Sequence, residues 1–371
     1  MPNNITWIIG NGFDVQLGLE TEYKKFYKWY CDKEKDTDTE AVKSFKKRLK
    51  EDNNKDIDTW ADFELAYGKY SNDCQNNASD YSVIKADVEE QLGIYLREIQ
   101  ESIDWSKLSD NHRDMFAKSM INWISEIKKV KNDFIYNKLN NNRGLVNFLQ
   151  FNYTNTLHRL LDESQDNITT FIKASYRNTT WGTKCGVRQV GTVRYVHGNL
   201  GGQIILGVDN VSQIVNKDFH NNPDIISEIV KPNQLSDIQN RDLNNVIPAE
   251  YAKQDINNSS IICVFGASIE ATDKTWWKII ADWLKDDNKL LIIFNYEGSK
   301  PESDVTRELN RVKKLKDKFT NDFIDSFRVN ADWDNETYES NKDKIIVTLN
   351  ENLFNFKLPR IKTDISKNDG I

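Results

Sequence analysis

The 371-residue sequence has few of the residue types that would assign it to a class at once. It contains four cysteines, six prolines, four histidines and three methionines. No two cysteines form a C-x-x-C pair, which excludes a zinc knuckle and a thioredoxin motif. Scattered cysteines in a chain of this length suit a reducing compartment better than a disulfide framework. The cysteines are Cys31, Cys74, Cys185 and Cys263.

Long hydrophobic runs are also missing. The first apolar stretch, 5–9, is too short for a signal peptide and follows no basic region. No run approaches the roughly 20 apolar residues that cross a bilayer. We therefore expect a soluble, cytoplasmic protein with no membrane partner.

Positive charge is not in excess. The chain has 50 Lys and Arg against 57 Asp and Glu, a net charge of −7. A surface of that sign repels phosphate backbones, which disfavours nucleic acid as a partner. We also predict no bound metal.

What the sequence does contain is a series of short apolar runs separated by helical periodicity. Ile5–Ile9 is β-branched and ends at a glycine, which is typical of a buried strand. Further strands are predicted at 146–151, 194–196, 204–206, 260–265 and 290–294. Apolar residues at three-to-four spacing indicate helices between residues 31 and 144.

This order predicts an α/β fold with a Rossmann-like parallel sheet and a large helical insertion after the first strand. Residue 210 begins an Asn- and Asp-rich stretch with little periodicity, which we interpret as a candidate lid. The predicted parts are a nucleotide-binding core (1–30 plus 145–300), the helical insertion (31–144), the lid (210–254) and a C-terminal helical extension and tail (301–371).

Four polar clusters follow predicted strands, where open parallel sheets place their ligand crevice. The first is Gly10-Asn11-Gly12-Phe13-Asp14. Its glycines permit a tight turn and a close approach of backbone N–H groups to a pyrophosphate. The cluster lacks the Gly-Lys-Ser/Thr of a P-loop. A strand-to-helix turn without a ligand is the alternative interpretation.

The second and third clusters carry an amide and an imidazole. Asn152, in Phe151-Asn152-Tyr153-Thr154-Asn155, suits a ribose hydroxyl or an attacking water. The alternative is that Thr154 or Asn155 caps the next helix. His197, before Gly198-Asn199, is a candidate general base, with a structural histidine as the alternative.

The fourth cluster is Gly266-Ala267-Ser268, with Asp273 shortly after it. Small residues there suit a ribose or phosphate, and Asp273 suits a hydroxyl. The alternative is a helix capped by Thr272 or Asp273. Asn295 ends the last predicted strand and would reach the same crevice. Glu64 becomes relevant only if its helix covers that crevice.

Together these residues resemble the bacteriophage abortive-infection AbiH family. The resemblance rests on motifs that occur in order over about 270 residues. They are Ile8 to Asp14, Trp60 to Glu64, Phe151 to Thr154, His197-Gly198, and Gly266-Ala267-Ser268 with Asp273. The family implies an anti-phage function and a phage-derived trigger, and a second copy of the chain is a candidate partner.

The same series is similar, more remotely, to sirtuin-like NAD-binding domains. That resemblance implies that Asn152 positions the nicotinamide ribose or a water and that His197 is the general base. It also implies that Gly10, Gly12, Ser268 and Asn295 hold the dinucleotide. Glu20 stands where sirtuins have proline, Asp14 where they have a small residue, and the four-cysteine zinc module is absent.

These departures favour a hydrolase of NAD, or of a related nucleotide, over a protein deacylase. The predicted catalytic residues are His197, Asn152 and Asp14. The predicted ligand-binding residues are Gly10, Asn11, Gly12, Phe13, Gly266, Ser268, Asp273 and Asn295. Two other functions stay open, a non-catalytic nucleotide sensor and an abortive-infection toxin that acts on RNA or tRNA.

Overall fold

The computed structural model confirms the α/β, Rossmann-like fold. It describes residues 4–33, 35, 37–52, 60–74, 77–127, 135, 144–169, 188–234, 249–296, 321–322, 324–350 and 352–361. Six parallel strands form one sheet in the order β3-β2-β1-β4-β5-β6. They are β1 (Asn4–Ile9), β2 (Gly144–Gln150), β3 (Arg188–Tyr195), β4 (Ser259–Phe265), β5 (Leu290–Tyr296) and β6 (Ile345–Asn350). This is the strand order of doubly wound dinucleotide folds.

The large helical insertion after β1 is confirmed as well, because the described residues between β1 and β2 are mainly helical. The helices are α1 (Gly12–Gln16), α2 (Tyr23–Asp32), α3 (Glu40–Asp52), α4 (Trp60–Tyr70), α5 (Ala78–Glu101), α6 (Asp110–Asn122), α7 (Thr156–Glu163), α8 (Pro223–Ile229), α9 (Ala249–Asn257), α10 (Lys274–Leu284) and α11 (Asn335–Asn341).

Both faces of the sheet are buried at the central strands β1, β4 and β5, as their apolar sequences require. On one face Trp7 stacks on Phe294 at 5.6 Å between ring centroids, under α6, α7 and the chain around Phe354. On the other face Ile8 and its neighbours pack against α9 and α10, with Trp277 fully buried. A separate core joins α2, α3, α4 and α5 to residues 204–230.

Two predicted strands need correction. The strand predicted at 194–196 is longer in the structure, where β3 has eight residues and runs from Arg188 to Tyr195. The prediction at 204–206 is wrong, because Ile204 makes only an isolated antiparallel bridge with Gly198. Its three apolar side chains are buried between the helical core and the sheet rather than paired in a ladder.

The prediction for the C-terminal part was incomplete. The described residues after 320 include α11, but also β6, which extends the sheet. A short apolar run such as Ile345–Val347 has no period that distinguishes strand from helix. Residues 353–358 then return to the core, with Phe354 fully buried. Residues 297–320 and 362–371 lie outside the described part.

The first half of the candidate lid is folded onto the helical insertion. Ile214, Phe219, Ile225 and Ile229 are buried in the core of that insertion. Residues 235–248 lie outside the described part, so the lid itself stays a prediction. Within the described ranges, none of the helices combines the length and apolar character that a membrane span requires.

Candidate functional site

The turns after β1 and β4 interlock at the point where the strand order reverses. The N–H of Gly12 donates to the carbonyl of Gly266 at 2.8 Å. A Cβ on Gly10 would lie 2.4 Å from Cα of Ala267, and one on Gly12 would lie 2.7 Å from Cα of Gly266. Only glycine permits this approach. Ligands of doubly wound sheets bind at this reversal point, which places a crevice over β1 and β4.

The interlocked turns give the glycines a packing function that needs no ligand. The N–H of Phe13 donates to the carbonyl of Gly10 at 3.0 Å, and the N–H of Gly12 is also used internally. These two groups are therefore not available to a phosphate. Phosphate binding by the remaining backbone of the two turns stays a prediction.

A cavity lies between these turns and the helical insertion, enclosing about 720 Å³ including its open mouth. Eight of the predicted site residues line it together. They are Gly10, Asn11, Asp14, Asn152, His197, Gly266, Ser268 and Asp273. The ends of β1, β2, β3 and β4 thus contribute to one site.

Three predicted ligand-binding residues do not line this cavity. The ring of Phe13 is fully buried and lies 5.2 Å from the ring of Phe354, centroid to centroid. Gly12 faces the turn after β4. Asn295 is on β5, one strand beyond the reversal point, where it pairs with Leu349 of β6. Phe13 in particular is a core residue beneath the site.

Asp14 is almost fully buried at the floor of the cavity, with 1% of its surface exposed. The hydroxyl of Thr154 donates to its Oδ2 at 2.6 Å, whereas Oδ1 has no partner among the described residues. Burial raises the pKa of Asp14 to about 7, although the nearby hydroxyls of Thr154 and Thr156 and the charge of Arg360 oppose the rise. Asp14 is therefore a carboxyl group that titrates near neutrality.

Asn152 is buried with neither amide atom paired among the described residues. The capping alternative is wrong for this cluster, since Asn155 precedes α7 without a side-chain cap bond. Thr154 bonds Asp14 instead. An unpaired buried amide costs free energy, about 1–3 kcal/mol, so Asn152 needs an explanation that the protein alone does not supply.

His197 belongs to a buried network of charged side chains. Its Nε2 lies 2.9 Å from Oδ1 of Asp273, at an ion-pair distance but without good hydrogen-bond alignment. Nζ of Lys231 lies 3.1 Å from the same oxygen and 2.8 Å from Oε2 of Glu64. All four side chains are at most 15% exposed. The imidazole thus lies against a carboxylate whose negative charge is balanced by Lys231.

The pKa values of the two carboxyl groups in this network are shifted in opposite directions. Burial opposes ionisation of Asp273, but the charges of Lys231 and His197 outweigh it and hold its pKa well below its usual value. Burial raises the pKa of Glu64, which Lys231 only partly offsets. Burial also lowers the pKa of Lys231, but Asp273 and Glu64 raise it more. Asp273 is the stable anion of the site.

Lys231 was not predicted from the sequence, and Glu64 was named only conditionally. Lys231 follows α8 in a region without periodicity, and no motif marks it. Glu64 was predicted to be relevant only if its helix covers the crevice. The helix α4 does so, because Glu64 lines the cavity. Only the packing of the insertion onto the strand ends brings these residues to His197.

The donor set of the cavity suits a polar organic ligand. Asn152 and Asp14 offer unpaired atoms, and Tyr153 donates to the carbonyl of Ile205 at 3.2 Å along the wall. Among the residues that the structure describes, no group of three His, Cys, Asp or Glu side chains is placed to hold a metal ion. The absence of a metal requirement stays a prediction.

A family comparison agrees with the resemblance seen in the sequence. The family model described as bacteriophage abortive infection AbiH matches residues 6–296, more than three quarters of the chain. The match spans β1 to β5 and every residue of the cavity. A search of curated proteins finds no match.

Proposed function

Because the chain belongs to the bacteriophage abortive infection AbiH family, we propose that it is an anti-phage effector that hydrolyses the N-glycosidic bond of NAD or a related nucleotide. The family accounts for the role in abortive infection. The nucleotide and the reaction are our inference from the cavity.

One observation carries the proposal, the unpaired buried amide of Asn152 in a cavity at the reversal point of the sheet. A ribose diol both donates and accepts hydrogen bonds, so it can satisfy both atoms of that amide. Dinucleotides bind at this place in doubly wound folds.

The side chains of the cavity suit the reaction. Cleavage of an N-glycosidic bond passes through a transition state with oxocarbenium character, as glycoside hydrolysis does. Asp273, whose charge Lys231 balances, lies beside His197 in the wall of the cavity. Water would attack C1′ and give its proton to His197, while the bond pair leaves with nicotinamide.

The test is the release of nicotinamide and ADP-ribose from NAD by purified protein, with and without lysate of phage-infected cells as a trigger. Asn152→Ala and His197→Ala should abolish release. Asn155→Ala is the matched control, because that side chain is exposed and caps nothing. A His197→Ala protein as active as the wild type would contradict the assignment.

A second candidate is a toxin that hydrolyses RNA or tRNA. It is favoured by the convergence of Asp14, Glu64 and His197 on one cavity, and disfavoured by the net charge of −7. RNA breakdown on induction, with unchanged NAD, would select it. Saturable binding of NAD or ADP-ribose without product would select a nucleotide sensor.

A further inference from the structure

Building on the proposed hydrolase, we infer that Asp273 is a positioning residue that orients His197 as the general base. In this assignment it does not bind ligand hydroxyls, and the Glu64–Lys231 pair keeps it in place. The inference concerns the function of Asp273 beside His197 and the function of the helical insertion, which supplies Glu64.

The geometry places one nitrogen of the imidazole against the carboxylate. Nε2 of His197 lies 2.9 Å from Oδ1 of Asp273. The rings of Phe151 and Tyr153 lie 5.0 and 6.5 Å from the imidazole, centroid to centroid, and restrict its rotation. With Nε2 carrying the proton toward Asp273, Nδ1 is left as the acceptor for a substrate water.

This arrangement works only if Asp273 stays ionised. A carboxyl group buried alone would take up a proton and lose its capacity to accept the imidazole N–H. Lys231 supplies the compensating charge to the same Oδ1 at 3.1 Å. The other titratable groups toward His197 are Glu64 on α4, Tyr153 after β2 and Asp14 after β1.

Lys231 is fixed in turn by the helical insertion. Its Nζ donates to Oε2 of Glu64 at 2.8 Å, and Oε1 of Glu64 accepts the N–H of Gly207 at 3.3 Å. Asp273, Lys231 and Glu64 lie on the turn before α10, directly after α8 and on α4. The insertion therefore supports the charge state of the base as well as covering the cavity.

The decisive measurement is the tautomer of His197, read from ¹⁵N shifts of its ring nitrogens at a pH where the ring is neutral. The chain has only four histidines, and His197→Ala identifies the signal. We expect the Nε2–H form in the wild type. In Asp273→Leu no oxygen is left to accept the Nε2 proton, so the share of the Nδ1–H form should rise. Asparagine would not test this, because Nε2 of His197 and Nζ of Lys231 contact the same oxygen of Asp273, which an amide would retain.

Kinetics give a second readout on the same variants. Asp273→Leu should lower kcat about 10²–10⁴-fold with little change in KM, and Asp273→Glu should keep part of the wild-type kcat. Asp162→Asn is the control, because that side chain is 73% exposed and does not line the cavity.

The possible failures can be told apart. An Nδ1–H wild type, an unchanged tautomer ratio in a folded Asp273→Leu, or a loss confined to KM would overturn the positioning role. The NMR result needs no substrate, so expected tautomers without nicotinamide release would refute only the proposed hydrolase. If Asp273→Leu does not fold, the wild-type tautomer and the kinetics of Asp273→Glu decide.

Discussion

Asp14→Asn should stabilise the protein at alkaline pH, although it alters a residue of the cavity floor. Burial raises the pKa of Asp14 from its usual 3.8 to about 7. The folded state therefore binds this proton more tightly than the unfolded chain does. Its contribution to stability is fully present below pH 3.8, declines as the pH rises, and is lost above about pH 7.

The magnitude follows from the distance between the two pKa values. Each tenfold difference in proton affinity is worth about 1.4 kcal/mol, so the distance from 3.8 to about 7 corresponds to at most roughly 4 kcal/mol. Asparagine cannot ionise, and its amide oxygen can still accept the hydroxyl of Thr154, which now bonds Oδ2 at 2.6 Å. Asp14→Asn should therefore gain up to that amount at pH 8 and almost nothing at pH 4.

Urea denaturation at pH 4, 6 and 8 measures the effect as a difference in the free energy of unfolding. Asp162→Asn is the control, because that side chain is 73% exposed on α7 and should change stability by less than about 0.5 kcal/mol. An Asp14→Asn protein that is less stable than wild type at pH 8, or that keeps the wild-type pH dependence, would refute the reasoning.

Three further variants test the packing of the site by the same denaturation assay. Gly10→Ala should lose at least about 2 kcal/mol, since its Cβ would lie 2.4 Å from Cα of Ala267. Lys231→Met should lose about 3–5 kcal/mol, since it leaves two buried carboxyl groups without their cation. Asn152→Ala should change stability by no more than about 1 kcal/mol, since no protein hydrogen bond is lost.

Two of these variants, Gly10→Ala and Lys231→Met, have a control of the same residue type that should behave differently. Gly201→Ala places a Cβ near only one side-chain oxygen, at 3.2 Å, and should be tolerated. Lys253→Met removes a lysine whose side chain is 37% exposed and should cost less than about 1 kcal/mol. A tolerated Gly10→Ala or Lys231→Met, or an Asn152→Ala protein that unfolds, would contradict the packing described.

The sequence predicted much of the site because parallel strands bring their carboxyl ends to the same edge of a sheet. Asp14, Asn152 and Ser268 follow apolar runs, His197 follows the more polar strand β3, and all four line one cavity. The sequence did not show that Phe13 turns into the core. Phe13 and Asp14 are adjacent on a short helix, so their side chains point in different directions. The contact of the Phe13 ring with Phe354 shows that Phe13 points into the core.

The two glycines of the first turn show a similar limit. Their presence indicates an unusual approach of the backbone, but the pattern does not identify the approaching group. The structure places the turn after β4 there. Glycines that admit a ligand and glycines that admit another part of the backbone look the same in a sequence, because both uses require only that Cβ is absent.

What the sequence determined by itself is local: buried strands, helical periodicity and the polar residues at strand ends, all of which follow from short-range patterns of burial. The tertiary structure alone decided the sixth strand, the covering of the crevice by α4 and the contact of Lys231 with Asp273. Asp273 and Lys231 are 42 residues apart, and Glu64 and Lys231 are 167 apart. Charges so distant in the chain interact only because burial brings them together where water screens them little.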